Sequence, residues 1–155
     1  MTTAWRNAIS SNNVEEVQTL INEGEDVNDA SDDTFNPLSY AIHVSIMIRS
    51  RYGFDTPCPL PVIKLLLDSN ADAESPHGIY EITPIVAAAT AGAVEIVELL
   101  IAYGVDVFRV DCCNKTVFEM LDDMCQIPLG PHTQRLQVKT IIKNEMDKVW
   151  RSYPS

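Results

Sequence analysis

The sequence has few basic residues. Lys and Arg together number 11 against 22 Asp and Glu, which gives a formal net charge of −11 at pH 7. Nucleic-acid binding draws its affinity from clustered Lys and Arg side chains that neutralise phosphates, and anionic lipid headgroups repel an acidic chain. We therefore expect neither a nucleic-acid partner nor a membrane partner, and we interpret most of the acids as solvated surface.

Long apolar runs are also missing. The best one, residues 85–93, is interrupted by Thr90 and Gly92, and a membrane span needs about 20 apolar residues. The first residues lack the basic flank and apolar stretch of a secretory signal peptide. We expect a cytoplasmic protein, with nuclear location or delivery into a host cell by a signalless route left open.

Cysteine is sparse, with four residues and no disulfide-dense framework, so reduced thiols are expected. Four residues are of the types that bind zinc, namely Cys112, Cys113, Cys125 and His132. Two adjacent cysteines followed by a wide gap lack the usual ligand spacing of a zinc site, however. The prediction is no metal and no cofactor.

Catalytic motifs are absent too. Three histidines, His43, His77 and His132, occur without a nucleophile motif, a Gly-rich phosphate loop or paired carboxylates at catalytic spacing. We predict no catalytic residues. The alternative is an enzyme or ligand-binding protein that uses the loop at 52–60 as a lid, with Cys58 or His43 in a working role. A lowered pKa at the Cys58 thiol near a helix N-terminus would favour that alternative.

One pattern occurs three times, at residues 14–28, 61–73 and 94–107. Each copy has apolar residues at helical spacing, and then Gly24, Asn70 or Gly104 where a helix would end in the left-handed conformation that Gly and Asn adopt most easily. Each copy is therefore a predicted helix with a defined C-terminal end.

A shorter predicted helix precedes each copy, at residues 5–12, 37–42 and 83–92. Thr83 followed by Pro84 is typical of a helix start, with Thr as N-cap and Pro in the first turn. Small side chains recur in these helices, at Ala8, Ala41, Ala87 and Ala88. They indicate close packing of neighbouring helices, as expected where repeated units stack on a continuous core.

The third copy carries a family resemblance. The run Thr83-Pro84-Ile85-Val86-Ala87-Ala88, followed by Gly92, Val94-Glu95-Ile96-Val97 and Gly104-Val105-Asp106-Val107, resembles an ankyrin repeat. The resemblance implies an all-α fold, an ankyrin-repeat solenoid of stacked helix-turn-helix pairs with short hairpin turns. It also implies a role in protein recognition.

We predict one domain over residues 1–155, with repeats at about 4–28, 29–74, 75–108 and 109–150. The second repeat carries an insertion at about 45–59, in which the first helix extends to about Ser50 before a loop punctuated by Gly and Pro. The fourth repeat is degenerate, because Val117 replaces the family's Pro. Residues 134–150 have an apolar stripe and are predicted to form a capping helix.

The insertion holds Arg49, Arg51, Tyr52 and Phe54, a basic and aromatic cluster on an acidic chain. Such a mixture is typical of an interface anchor. The other interpretation is that both aromatic rings pack back on the loop while the arginines pair with nearby acids. The sequence leaves both open.

The function that follows from the resemblance is binding of another protein, as an adaptor, inhibitor or effector that is monomeric on its own. Its contacts are expected on hairpin tips and the exposed side of the first helices, together with the insertion. The predicted contact residues are Asp32, Asp33, Asn36, Ser39, Arg51, Tyr52, Phe54, His77, Ile79, Tyr80, Val86 and Arg109.

Overall fold

The computed structural model describes residues 1–31, 34–55, 58–78, 81–111, 113–126 and 130–154. These residues form eight helices. They are α1 (Thr3–Ser10), α2 (Val14–Asn22), α3 (Pro37–Tyr52), α4 (Leu60–Asp68), α5 (Pro84–Thr90), α6 (Val94–Ala102), α7 (Val117–Cys125) and α8 (His132–Ser152). The only pairing of extended backbone within the described ranges is two isolated antiparallel bridges, His77 with Ile82 and Val110 with Thr116.

The helices are arranged as four consecutive pairs. The first helices α1, α3, α5 and α7 pack in a row, and the second helices α2, α4, α6 and α8 pack in a parallel row. Both bridges lie in the connections between pairs, where they close short hairpins. The predicted all-α fold of stacked helix pairs is confirmed, while the repeat boundaries stay predictions.

The second helices end as their sequences predict. Gly24, Asn70 and Gly104 have φ of 85°, 65° and 83°, respectively. After α4, for example, the Asn70 N–H donates to Leu67 O at 3.1 Å and the Ala71 N–H donates to Leu66 O at 3.0 Å. This is the Schellman arrangement, which satisfies the last carbonyls of the helix and turns the chain toward the next hairpin.

The core runs between the two rows of helices. Each pair contributes fully buried side chains, among them Trp5, Leu38, Ile63, Ile96, Leu100 and Leu121. The small side chains Ala8, Ala41 and Ala88 are buried between neighbouring first helices, as close helix packing requires. Leu99 is only half-buried at the edge of this core.

Two helices are longer than predicted. Helix α3 continues to Tyr52, two residues beyond Ser50, and Gly53 ends it with φ of 114°. Helix α8 runs for 21 residues, and it packs on α5 and α6 as well as on its own partner α7. In the described parts of the chain, no helix has the length and hydropathy that a membrane crossing demands.

Candidate protein-binding groove

An open groove of about 860 Å³ runs along the first helices. Helices α3, α5 and α7 form its floor and walls, the hairpins before α3 and α5 border it on one side, and the first turn of α8 borders it on the other. We call this feature the groove. It follows from the stacking itself, because the first helices present one continuous face that the second helices do not cover.

The lining of the groove is mostly apolar. Phe35 and Ile82 come from the hairpins, Ile46 from α3, and Phe54 from the insertion. All four are half-buried, so each shows part of its apolar surface to solvent. Two methionines, Met120 and Met124, line it from α7.

The ionisable side chains among the described lining residues are all basic in type. His43, Arg49, His77 and Arg135 line the groove, and none of the described lining residues is Asp or Glu. Asp and Glu outnumber Lys and Arg two to one in the chain as a whole. The described lining of the groove therefore lacks the acidic groups that dominate the rest of the chain.

Arg49 is the most buried of these groups, with 3% of the residue exposed. Its Nη2 donates to the carbonyl oxygen of Gly92 at 3.0 Å, and its Nη1 lies 3.2 Å from Glu95 Oε2 and 3.4 Å from Cys58 Sγ. A buried guanidinium needs such partners to offset its lost hydration. Arg49 thus joins the end of α3 to the turn between α5 and α6.

Cys58 lies beside this pair, close to the start of α4. Burial raises the pKa of the Cys58 thiol above its usual value, and the neighbouring Arg49 only partly opposes the rise. The alternative of a lid over a reactive Cys58 called for a lowered pKa. The direction found is the opposite, so Cys58 lacks the lowered pKa that this alternative called for.

Three rings line up at the hairpin side of the groove. Phe35 lies between His43 and His77, with ring centroids 4.9 Å and 5.1 Å apart, respectively. Burial lowers the pKa of His77, and the electrostatic effect of the neighbouring His43 lowers it further. Among the described residues, the buried His77 Nδ1 has no hydrogen-bond partner, which also favours the neutral ring.

The opposite end of the groove is closed by the start of α8. Arg135 Nε donates to Thr90 O at 2.6 Å, and Gln134 Nε2 donates to Asp55 Oδ1 at 2.9 Å. A Cβ built on Gly92 would lie 2.8 Å from Gln134 Cβ. These contacts join the insertion and α8 to the turn after α5 at this end of the groove.

The structure brings three of the predicted contact residues together. Phe54, His77 and Val86 all line the groove, and Val86 is 5% exposed. Asp32, Asp33, Ile79 and Tyr80 lie outside the described residues.

The prediction that Asn36 and Ser39 lie on an exposed contact surface is wrong. Both are buried at the start of α3. Asn36 Oδ1 accepts the Ser39 N–H at 2.8 Å, and Ser39 Oγ accepts the Asn36 N–H at 3.0 Å. The two side chains form a capping box that satisfies the first amides of the helix.

The other three predicted residues lie away from the groove. Arg51 and Tyr52 are exposed, with the guanidinium 5.8 Å from the ring centroid, on another face of α3. Arg109 lies at the next hairpin and pairs with Glu74 at 3.3 Å. The basic and aromatic cluster of the insertion is therefore divided: Arg49 and Phe54 face the groove, and Arg51 and Tyr52 do not.

Sequence reasoning missed several groove residues. Ile46 and Ser50 are one turn apart on α3, and Met120 and Met124 are one turn apart on α7, so helical spacing could have found both pairs. No local signal marks Arg135. Its position follows from the return of α8 to the turn after α5, a contact between residues 45 positions apart.

One comparison with known proteins matches part of this geometry. The family model described as ankyrin repeat matches residues 80–112. This segment covers the end of the α4–α5 hairpin, the pair α5 and α6, and the start of the next hairpin, so the resemblance seen in the sequence is confirmed there. Ankyrin repeats are generally protein–protein interaction modules. No curated protein matches the chain.

Proposed function

We propose that this protein binds another protein through the groove and acts as an adaptor, inhibitor or effector without chemistry of its own. The observation that carries the proposal is the groove itself, an open apolar concavity bordered by three successive first helices, two hairpins and the insertion. Apolar surface of this extent that remains open in the folded chain is typical of a recognition surface. The ankyrin repeat within the same walls supports this assignment.

The insertion contributes to the groove through one of its two aromatic residues. Phe54 is half-buried in the lining, whereas Tyr52 is 71% exposed on another face. Aromatic anchors at the centre of an interface commonly carry about 2 kcal/mol or more each. We expect Phe54→Ala to weaken partner binding more than tenfold and Tyr52→Ala to leave it nearly unchanged.

The test is affinity capture from the native cell extract with matched variants. Ala87→Glu places a carboxylate in the groove, and Ala102→Glu places the same group on the exposed end of α6. We expect proteins that bind the wild type and Ala102→Glu to be lost with Ala87→Glu, provided that both variants keep wild-type stability in urea. Equal capture by all three proteins would contradict the proposal.

A further inference from the structure

The charge and the apolar lining of the groove indicate which kind of protein segment would bind in it. We propose that the occupant is an acidic amphipathic helix of another protein, whose apolar side chains enter the groove and whose Asp or Glu side chains face the basic wall. The inference rests on the proposed function, since it names the chemistry of the partner at the same surface.

The sign of the charge is the first argument. Arg135 and His43 line the groove, and no described lining residue carries a carboxylate. Arg49 adds a second guanidinium, although Glu95 lies beside it at 3.2 Å. Complementary charge of this kind selects among partners and accelerates their encounter. A basic segment would meet like charge in the groove, whereas an acidic one would be attracted.

The apolar lining is the second argument. Met120 and Met124 form one wall, and methionine side chains adapt their shape to varied apolar groups. Phe35 and Phe54 also line the groove and offer rigid aromatic surface. An occupant must therefore carry several apolar side chains on one face, in addition to its acids.

The secondary structure of the occupant follows from the backbone of the walls. Helices α3, α5 and α7 use their amides and carbonyls internally. In the bordering hairpin, the amides of His77 and Ile82 already donate to each other's carbonyl oxygens at 3.0 Å and 3.1 Å. These two amides, in the described part of the hairpin before α5, are therefore not available to pair with an extended peptide. A helix satisfies its own backbone groups and presents apolar side chains at i, i+3, i+4 and i+7.

The first experiment selects peptides without presuming the answer. A displayed library of random 14-residue peptides is sorted on the full chain, and the bound peptides are tested again on Ala87→Glu and Ala102→Glu. We expect peptides that depend on Ala87 to be enriched in Asp and Glu over Lys and Arg, with apolar residues at helical spacing. Groove-dependent peptides that are basic, neutral or without helical spacing would overturn the inference, as would a failure to obtain any.

The second experiment changes one charge at the rim. Ser50 is exposed, lines the groove and lies near the end of α3. Because an exposed position can accept either side chain, Ser50→Lys and Ser50→Glu test how the sign of the charge at the groove affects peptide binding. Binding of a selected acidic peptide, measured by fluorescence anisotropy, should tighten with Lys and weaken with Glu by about two- to fivefold each. The effects should shrink as salt is raised.

The control pair is Ala102→Lys and Ala102→Glu, at the exposed end of α6, and it should leave affinity unchanged. Equal effects of Lys and Glu at position 50, or effects of the reversed sign, would contradict the inference. The proposed function fails separately: it fails if Ala87→Glu leaves capture of the native partner intact, and it survives if that capture is lost while the selected peptides prove basic.

Discussion

Substitution of Gly92 by Ala tests the junction between the groove and α8. Gly92 is buried in the turn after α5 with φ of 64°, and a Cβ there would lie 2.8 Å from Gln134 Cβ and 3.1 Å from Pro131 Cβ. The left-handed backbone costs an alanine about 1–2 kcal/mol. The collision adds about 1–3 kcal/mol, because backbone and two packed side chains must shift. We therefore expect Gly92→Ala to lower the free energy of unfolding by about 2–5 kcal/mol.

The matched control is Gly104→Ala. Gly104 has φ of 83°, and, apart from its chain neighbours, no described residue has an atom within 4 Å of the position that a Cβ would take. The control thus carries the backbone cost without the collision, and we expect a loss of about 1–2 kcal/mol. Urea unfolding followed by circular dichroism gives both values, and the difference between the two variants isolates the contact with α8.

The junction argument also predicts a local effect. If α8 is displaced in Gly92→Ala, amides in its first turn and near Asp55 should exchange with deuterium faster than in Gly104→Ala. Equal destabilisation by the two variants, with unchanged exchange in α8, would refute the reasoning that this helix start is locked against the turn.

Three further predictions concern single side chains. Leu100→Ala should lower the free energy of unfolding by about 2–5 kcal/mol in urea melts, and Leu99→Ala by clearly less, because Leu100 is fully buried and Leu99 is half-buried. A larger loss of stability with Leu99→Ala would contradict the packing. Iodoacetamide near neutral pH should alkylate the exposed Cys113 before Cys58, because burial raises the pKa of the Cys58 thiol and keeps it protonated. Peptide mapping by mass spectrometry would show the reverse order if Cys58 were activated. The pKa of His77 in the folded chain lies below its usual value near 6.5, so His77 takes up a proton more readily in the unfolded chain. The free energy of unfolding should therefore keep the contribution of His77 above pH 6.5 and lose it as the pH drops through 6.5 toward the folded pKa. His77→Gln should reduce that pH dependence, and an unchanged dependence would show that another group causes it.

Much of the fold was predictable because its signals are local. The ends of α2, α4 and α6 are set by Gly24, Asn70 and Gly104, whose left-handed conformations terminate each helix within a few residues of chain. The start of α5 at Thr83 and Pro84 was likewise visible, although the Thr83 side chain makes no capping hydrogen bond. Periodicity then fixed the buried faces.

The candidate site was less predictable because its contacts span the sequence. Arg49 was expected at an interface or paired locally, yet its partners Gly92 and Glu95 come from the next helix pair. Burial of an arginine depends on acceptors that only the folded neighbour supplies. Asn36 and Ser39 show the opposite error, since repeat position indicated exposure while a local capping box held both side chains inside.

The packing of α8 against the second and third helix pairs affects how the protein unfolds. In a stack whose units touch only their neighbours, terminal units fray independently and stability is a sum of nearest-neighbour terms. In this chain, Gln134 donates a hydrogen bond to Asp55, 79 positions away in the sequence, and Arg135 donates one to Thr90, 45 positions away. The last helix is thus coupled to the second and third pairs at once. We therefore expect detachment of α8 to release that end of the groove as well, so that the last helix pair does not unfold independently of the second and third pairs.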